Sequence, residues 1–268
     1  MALPASIAAL PMYDWPEVRE ATDALWVSLR DAFRAAGIAA PEGLTRNRPL
    51  LALWRDPQLL LAQACGLPYV QHLRGAVRLL GTPAYDIPGC PPGTYRTVFV
   101  VRREDAVPEL EALKGRRCAF NHPGSQSGDG APRAVLAPLA RGGRFFGDVL
   151  ETGSHRAALV AVAGGRADVA TVDAVSWELA RRHEPAAAGL AVVAATPPTP
   201  GLPFISAMGM QGGAERLRDA IAQGIRVTPL DAREALMLSG FVAFEDADYE
   251  GIAVADARTR ALGYGVLA

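Results

Sequence analysis

Residues 117–140 read Arg117-Cys-Ala-Phe-Asn121, then His122-Pro-Gly-Ser-Gln-Ser-Gly-Asp-Gly130, then Ala131-Pro-Arg-Ala-Val-Leu-Ala-Pro-Leu-Ala140. The first segment is a short apolar run bounded by polar residues, the pattern of a buried strand. The last reads as an apolar helix over 132–140. Between them lies a loop rich in Gly, Ser and Pro, whose residues punctuate structure and begin helices. The same strand–loop–helix order recurs twice. Asp148–Glu151 reads as a strand and 154–163 as a helix stopped by Gly164-Gly165. Ala167–Asp173 reads as a strand and 174–182 as a helix. Such alternation predicts an α/β protein with mostly parallel sheets.

Reading outward, residues 6–12 predict a first strand ending at Tyr13-Asp14-Trp15, and Pro16 suits the first turn of a helix. Val18, Ala21, Leu25, Leu29 and Phe33 keep helical spacing, and Gly37 suits the stop. Strands are expected at 50–54, 59–63 and 77–80, the last ended by Gly81-Thr-Pro83. A turn-rich stretch from Gly81 to Gly93 precedes a strong β run, Tyr95–Val101. Residues 109–114 look helical. Leu190–Ala195 is a further strand, and Thr196–Pro203 is the clearest linker. Phe204–Met208 reads as a strand and 212–265 as mostly helix. This order predicts two lobes: residues 1–95 plus 203–268, and residues 96–202. Two crossings, near 94–98 and 198–205, would make a hinge with a central cleft.

The bulk composition narrows the function. Of 268 residues, 50% are apolar and 21% charged, with a formal net charge of -1; this suits a packed soluble protein and carries no basic stripe for nucleic acid. No run approaches a membrane span, so no membrane insertion is expected. The three cysteines, Cys65, Cys90 and Cys118, form no CxxC pair, and neither a metal site nor a cofactor is expected. Buried thiols are the expectation, with a Cys65–Cys90 disulfide as the alternative. The segment from Met1 to Pro11 lacks a basic region followed by a long apolar core. No secretory leader is read there, which leaves a cytoplasmic location or a leader outside this sequence.

The loop at 121–128 carries the strongest chemistry. Backbone N–H groups at a helix start converge and favour an anion. Ser125 and Ser127 add hydroxyls, Gln126 adds its N–H, and Gly124 and Gly128 allow close approach. The plainer reading is an N-cap with nothing bound. Thr152-Gly-Ser-His155 places Ser154 and His155 at a second helix start, where ligands of open α/β sheets sit. Asp173 ends a strand; it can take the proton of a monoprotonated anion or simply cap the next helix. Tyr13, Gln63 and Tyr95 are candidates for aromatic and hydrogen-bonding walls on the facing lobe.

These residues, together with Tyr95–Arg102, Leu113–Asn121 and Ala161–Asp173, resemble the phosphonate/phosphate substrate-binding proteins of ABC transporters. The likeness is firm over about 95–175, and Tyr249-Glu-Gly-Ile and Gly263-Tyr-Gly-Val-Leu also suit it. It implies a type II periplasmic-binding-protein-like fold, two-lobed, with a small oxyanion (phosphate, phosphite or phosphonate) clamped between lobes. A transporter permease is the implied partner. In relatives the Ser-x-Ser-Gly loop and the His of Gly-Ser-His hold the phosphonate oxygens. That implies Ser125, Gln126, Ser127 and His155 as ligand contacts. An acidic residue after the strand implies Asp173, and first-lobe aromatics imply Tyr13 and Tyr95. Gln63-Ala-Cys-Gly-Leu-Pro departs from the familiar pattern, and Asp129 is unexpected beside an anion loop.

A non-catalytic role is expected. Ser, His and Asp invite a hydrolase reading, but Gly124-Ser-Gln-Ser-Gly128 lacks the offsets of a nucleophile elbow, and no HExxH, P-loop or dinucleotide fingerprint occurs. The remaining alternatives are a leaderless ligand-sensing protein and an enzyme on the same scaffold.

Overall fold

The computed structural model describes residues 6–140 and 142–268. Residues 1–5, on which part of the leader reading rests, lie outside the described residues. Among these residues the strands run β1 (Ile7–Ala9), β2 (Leu59–Gln63), β3 (Val77–Tyr85), β4 (Thr94–Tyr95), β5 (Thr97–Arg102), β6 (Arg117–Phe120), β7 (Asp148–Glu151), β8 (Val169–Asp173), β9 (Leu190–Ala195), β10 (Thr199–Pro200), β11 (Phe204–Ala207) and β12 (Leu238–Val242). The α-helices run α1 (Arg19–Ala35), α2 (Leu50–Trp54), α3 (Gly66–Pro68), α4 (Ala131–Leu136), α5 (His155–Ala163), α6 (Ala174–His183), α7 (Gly213–Val227), α8 (Leu230–Ala235) and α9 (Glu250–Ala261).

The chain divides into two compact units. One holds Met1–Thr94 and Pro200–Tyr249; the other holds Tyr95–Thr199 and Glu250–Ala268. Residues 250–268 were expected in the first lobe, and this is corrected: the chain changes unit a third time after Tyr249. The cause is packing. Tyr264 and Leu267 join the second unit's core of Phe99, Cys118, Phe120, Phe145 and Phe146. The N–H groups of Phe145 and Phe146 both donate to the carbonyl of Ala268, at 2.7 and 3.0 Å.

In the first unit the sheet order is β1-β2-β11-β3-β12. β1 and β2 are parallel, and β11 runs antiparallel to β2 and β3. α1 ends as read: Gly37 takes φ +73°, with Gly37 N–H donating to Arg34 and Ile38 N–H to Phe33, a left-handed helix stop. α7 crosses α1 at Gly224, where a Cβ would lie 2.8 Å from Leu29 Cα.

Two expectations in this unit are corrected. Residues 50–54 are helical, not extended; five apolar residues are too few to reveal a period. β3 does not stop at Gly81-Thr-Pro83. It runs on to Tyr85, pairing with β11 up to Gly81 and with β12 from Thr82. Gly81 makes this exchange of partners, with φ +124° and room for no Cβ, which would meet Val242 O at 2.4 Å. Residues 212–265 are mostly helical as expected, and β12 (Leu238–Val242) is a strand within them.

In the second unit the sheet order is β7-β6-β8-β5-β9. β6 is parallel to both β7 and β8, and β5 is antiparallel to β8 and β9. β4 and β10 form a two-stranded ribbon. Cys65 and Cys90 carry thiols, not a disulfide. Burial pushes the Cys118 thiol well above its usual range. Among the described residues no helix is long and apolar enough to cross a membrane.

Candidate functional site

Three adjacent parallel strands of the second unit, β7, β6 and β8, each end in a loop that starts a helix. Ligands of open α/β sheets gather at such carboxyl ends. The β6 loop passes through a π-helical turn, Gln126–Gly130, into α4. The β7 loop leads to α5, and β8 runs directly into α6.

Each helix start is capped from within. Ser125 Oγ accepts the Gly128 N–H at 3.1 Å and the Asn121 amide at 3.0 Å. Ser154 Oγ accepts the Ala157 N–H at 3.1 Å. Asp173 accepts the Ser176 N–H at 2.7 Å and its hydroxyl at 2.8 Å. The capping role is therefore real for all three residues, and it satisfies helix donors that would otherwise lack partners.

The residues just beyond the caps meet each other. Ser127 Oγ lies 3.0 Å from His155 Nε2, and Asp173 Oδ2 lies 3.5 Å from that same nitrogen. Ser127 and Asp173 are about 4% exposed, and the His155 side chain 12%. Burial lowers the His155 pKa below its ordinary value; the Asp173 carboxylate opposes this and His122 adds to it. The site therefore gathers a hydroxyl and an acidic side chain around one imidazole nitrogen.

Threonines clamp the β6 loop onto the sheet. Thr97 Oγ1 donates to Ser127 O and Thr171 Oγ1 to Gly128 O, each at 2.8 Å. A Cβ at Gly128 would stand 1.8 Å from Asn121 Oδ1, so any larger residue there would have to displace the Asn121 side chain that is bonded to Ser125. Asp129, unexpected in sequence, has structural partners: Oδ2 accepts the Gly124 N–H at 2.8 Å and Oδ1 accepts Arg133 Nε at 2.7 Å. Thr97, Thr171, Asn121 and Arg133 were not singled out from sequence. The partners of Thr97 and Thr171 lie 30 and 43 residues away, while Asn121 and Arg133 meet Ser125 and Asp129 four residues away in a loop with no regular period to show it.

The remaining candidates divide. Tyr95 is 3% exposed and stands two residues before Thr97, the partner of Asp173 across β5 and β8. Gln126 is buried within the π-helical turn. Tyr13 and Gln63 lie in the first unit. Gln63 ends β2, and its amide donates to Tyr85 Oη at 3.1 Å; Tyr13 packs edge-on to the Tyr85 ring at 5.2 Å. Tyr85 is thus a member of that cluster that sequence reading missed. Among the described residues no group of His, Cys, Asp and Glu is arranged to hold a metal.

A family profile described as the periplasmic substrate-binding protein of a phosphonate ABC transporter matches residues 49–249. No curated protein sequence matches the chain. Among solved structures it is similar to a binding-protein component of a phosphonate ABC transporter from Pseudomonas aeruginosa, at 18% identity and TM-score 0.75, covering 96% of this chain and 87% of that one. It is also similar to PhnD1 of Prochlorococcus marinus in complex with methylphosphonate, at 18% identity and TM-score 0.73, covering 96% and 99%. A Xanthomonas citri protein bound to chloride ion matches at 19% identity and TM-score 0.71, covering 96% and 99%. At these identities the structural likeness establishes the fold, that of the type II periplasmic binding proteins.

Proposed function

We propose how this chain, which belongs to the periplasmic substrate-binding proteins of phosphonate ABC transporters, takes its solute: it captures phosphate, phosphite or a phosphonate at the helix starts of its second unit. The observation that carries this reading is the meeting of Ser127 Oγ and His155 Nε2 at 3.0 Å, at the carboxyl ends of neighbouring parallel strands. A tetrahedral oxyanion replaces their mutual hydrogen bond with two bonds to its own oxygens. The helix starts behind these residues add partial positive charge. Ser125 holds the loop through its two internal bonds and gives its hydroxyl proton to the ligand, and Gln126 contributes its N–H from the same turn. Asp173 receives the proton of a monoprotonated ligand and repels one fully deprotonated. Tyr95, and Tyr13 and Gln63 of the first unit, serve as further ligand contacts. The captured solute is passed to a transporter permease in the periplasm.

The same geometry supports binding without turnover. In a Ser-His-Asp triad the carboxylate holds one imidazole nitrogen while the serine uses the other. Here Ser127 and Asp173 both approach Nε2, an arrangement unsuited to relay a proton from the hydroxyl.

Isothermal titration with phosphate, phosphite, methylphosphonate and sulfate tests the reading, with thermal unfolding alongside. A specific ligand at about 100 times its Kd adds about 2.7 kcal/mol of stability. The expected result is saturable binding of at least one phosphorus oxyanion and weak binding of sulfate. Flat responses to all four anions would overturn the reading.

A further inference from the structure

Asp129 places a carboxylate inside a loop proposed to hold an anion, and the residues around it resolve the conflict. Asp129 is 6% exposed and Arg133 1%. Arg133 Nε donates to Asp129 at 2.7 Å, one terminal nitrogen to Thr259 Oγ1 at 2.9 Å, and the other to Asp256 Oδ1 at 2.8 Å. Asp256 Oδ2 in turn accepts Arg260 Nε at 3.0 Å. The four charges alternate, from the loop through α4 to α9, and sum to zero. The other Asp129 oxygen holds the Gly124 N–H at the entry of the loop.

Two consequences follow from charge and geometry. A buried ion pair is weak evidence for net stability, but removal of one partner leaves an uncompensated charge. Without Arg133 that charge would be Asp129, within the chain segment that carries Ser125 and Ser127. A guanidinium making three separate hydrogen bonds also fixes α4 against α9, so the loop is held at both ends.

We propose that Arg133 is a positioning residue for oxyanion capture, neutralising and orienting Asp129 so that the 124–130 loop can accept an anion, with α9 as its anchor. The proposal rests on the reading that this loop binds a phosphorus oxyanion. It makes the carboxyl-terminal helix part of the binding apparatus although none of its residues is assigned to the ligand.

The test uses the full chain and whichever of phosphate or methylphosphonate the unaltered protein binds. Arg133→Met is expected to weaken binding by roughly ten-fold or more, because the charge left uncompensated on Asp129 disfavours an anion in the same loop. Arg133→Met combined with Asp129→Asn removes the stranded charge while Asn still accepts the Gly124 N–H, and most of the affinity is expected to return. A merely structural role would not produce that recovery. Asp256→Asn, a milder change should Arg133→Met fail to fold, is expected to weaken binding by a smaller factor. Arg102→Met is the matched control. It breaks ion pairs with Asp105 and Asp168 in the same unit and should leave affinity unchanged. Equal affinity in the wild type, Arg133→Met and Asp256→Asn overturns the proposal, as does a double variant no better than the single one. Absence of binding by the wild type would instead defeat the reading on which the proposal rests.

Discussion

The two units place different chemistry at corresponding positions. In the second unit β8 ends at Asp173, opposite Thr97 at the start of β5. In the first unit β2 ends at Gln63, opposite Phe204 at the start of β11. Both β5 and β11 follow a change of unit and run antiparallel to the strand beside them. At these matching strand ends one unit offers a carboxylate with Ser127 and His155; the other offers an amide with Tyr13 and Tyr85. The proposed binding mode turns this difference into a division of labour. Hydroxyl, imidazole and helix starts suit a charged, tetrahedral group whose oxygens need donors. A ring wall with one amide suits an uncharged group.

The largest effect belongs to the second unit. On the proposed binding mode Ser127→Ala and His155→Ala each remove a donor to a charged oxygen, a bond worth roughly 1.5–3 kcal/mol. Titration calorimetry should show each variant losing affinity for every phosphorus oxyanion alike. Selective loss of one ligand would break the division.

Asp173→Asn comes next. Asparagine caps helices about as well as aspartate, so the melting temperature should change little. Removal of the carboxylate should raise sulfate affinity relative to phosphate by about ten-fold, since a repelled unprotonated anion becomes acceptable. An unchanged sulfate-to-phosphate ratio would remove Asp173 from the discriminating role.

A smaller effect is expected in the first unit. Gln63→Ala and Tyr13→Leu should change phosphate binding by about 1 kcal/mol or less, the net value of one ordinary hydrogen bond. Their ratio of methylphosphonate to phosphate affinity should shift more than in the Ser127 variant. Competition titrations with the two ligands measure that ratio.

The smallest effect is on ligand-free stability. Burial lowers the folded pKa of His155 below its unfolded value, so the unfolded chain takes up the proton first. The contribution is complete above about pH 6.5 and is lost as pH falls toward the folded value. Urea unfolding at two pH values should show this decline, and His155→Asn should flatten it. An unaltered pH slope in the variant would place the titration elsewhere.

Much of the second unit is legible in sequence because each strand there is a short apolar run ending in a Ser, Gly or Asp that begins a helix. Ser127, His155 and Asp173 could be grouped because one architecture puts all three strand ends side by side. Ser125 shows what position alone leaves out: its hydroxyl oxygen accepts bonds from Gly128 and Asn121 that hold the loop. The first unit is less legible. Gly81-Thr-Pro83 reads as a turn but is the point where β3 exchanges one partner strand for another. The placement of residues 250–268 was misread because it depends on Arg133 and Asp256, 123 positions apart, and on core contacts of Tyr264 and Leu267. Long-range pairings of this kind leave no local periodicity.

A crystal structure of the protein grown with methylphosphonate addresses the binding reading directly. The phosphorus group should appear with separate oxygens within hydrogen-bonding distance of Ser127 Oγ and His155 Nε2, and the bond between those two atoms should be gone. A ligand bound elsewhere while Ser127 and His155 remain joined would contradict the account.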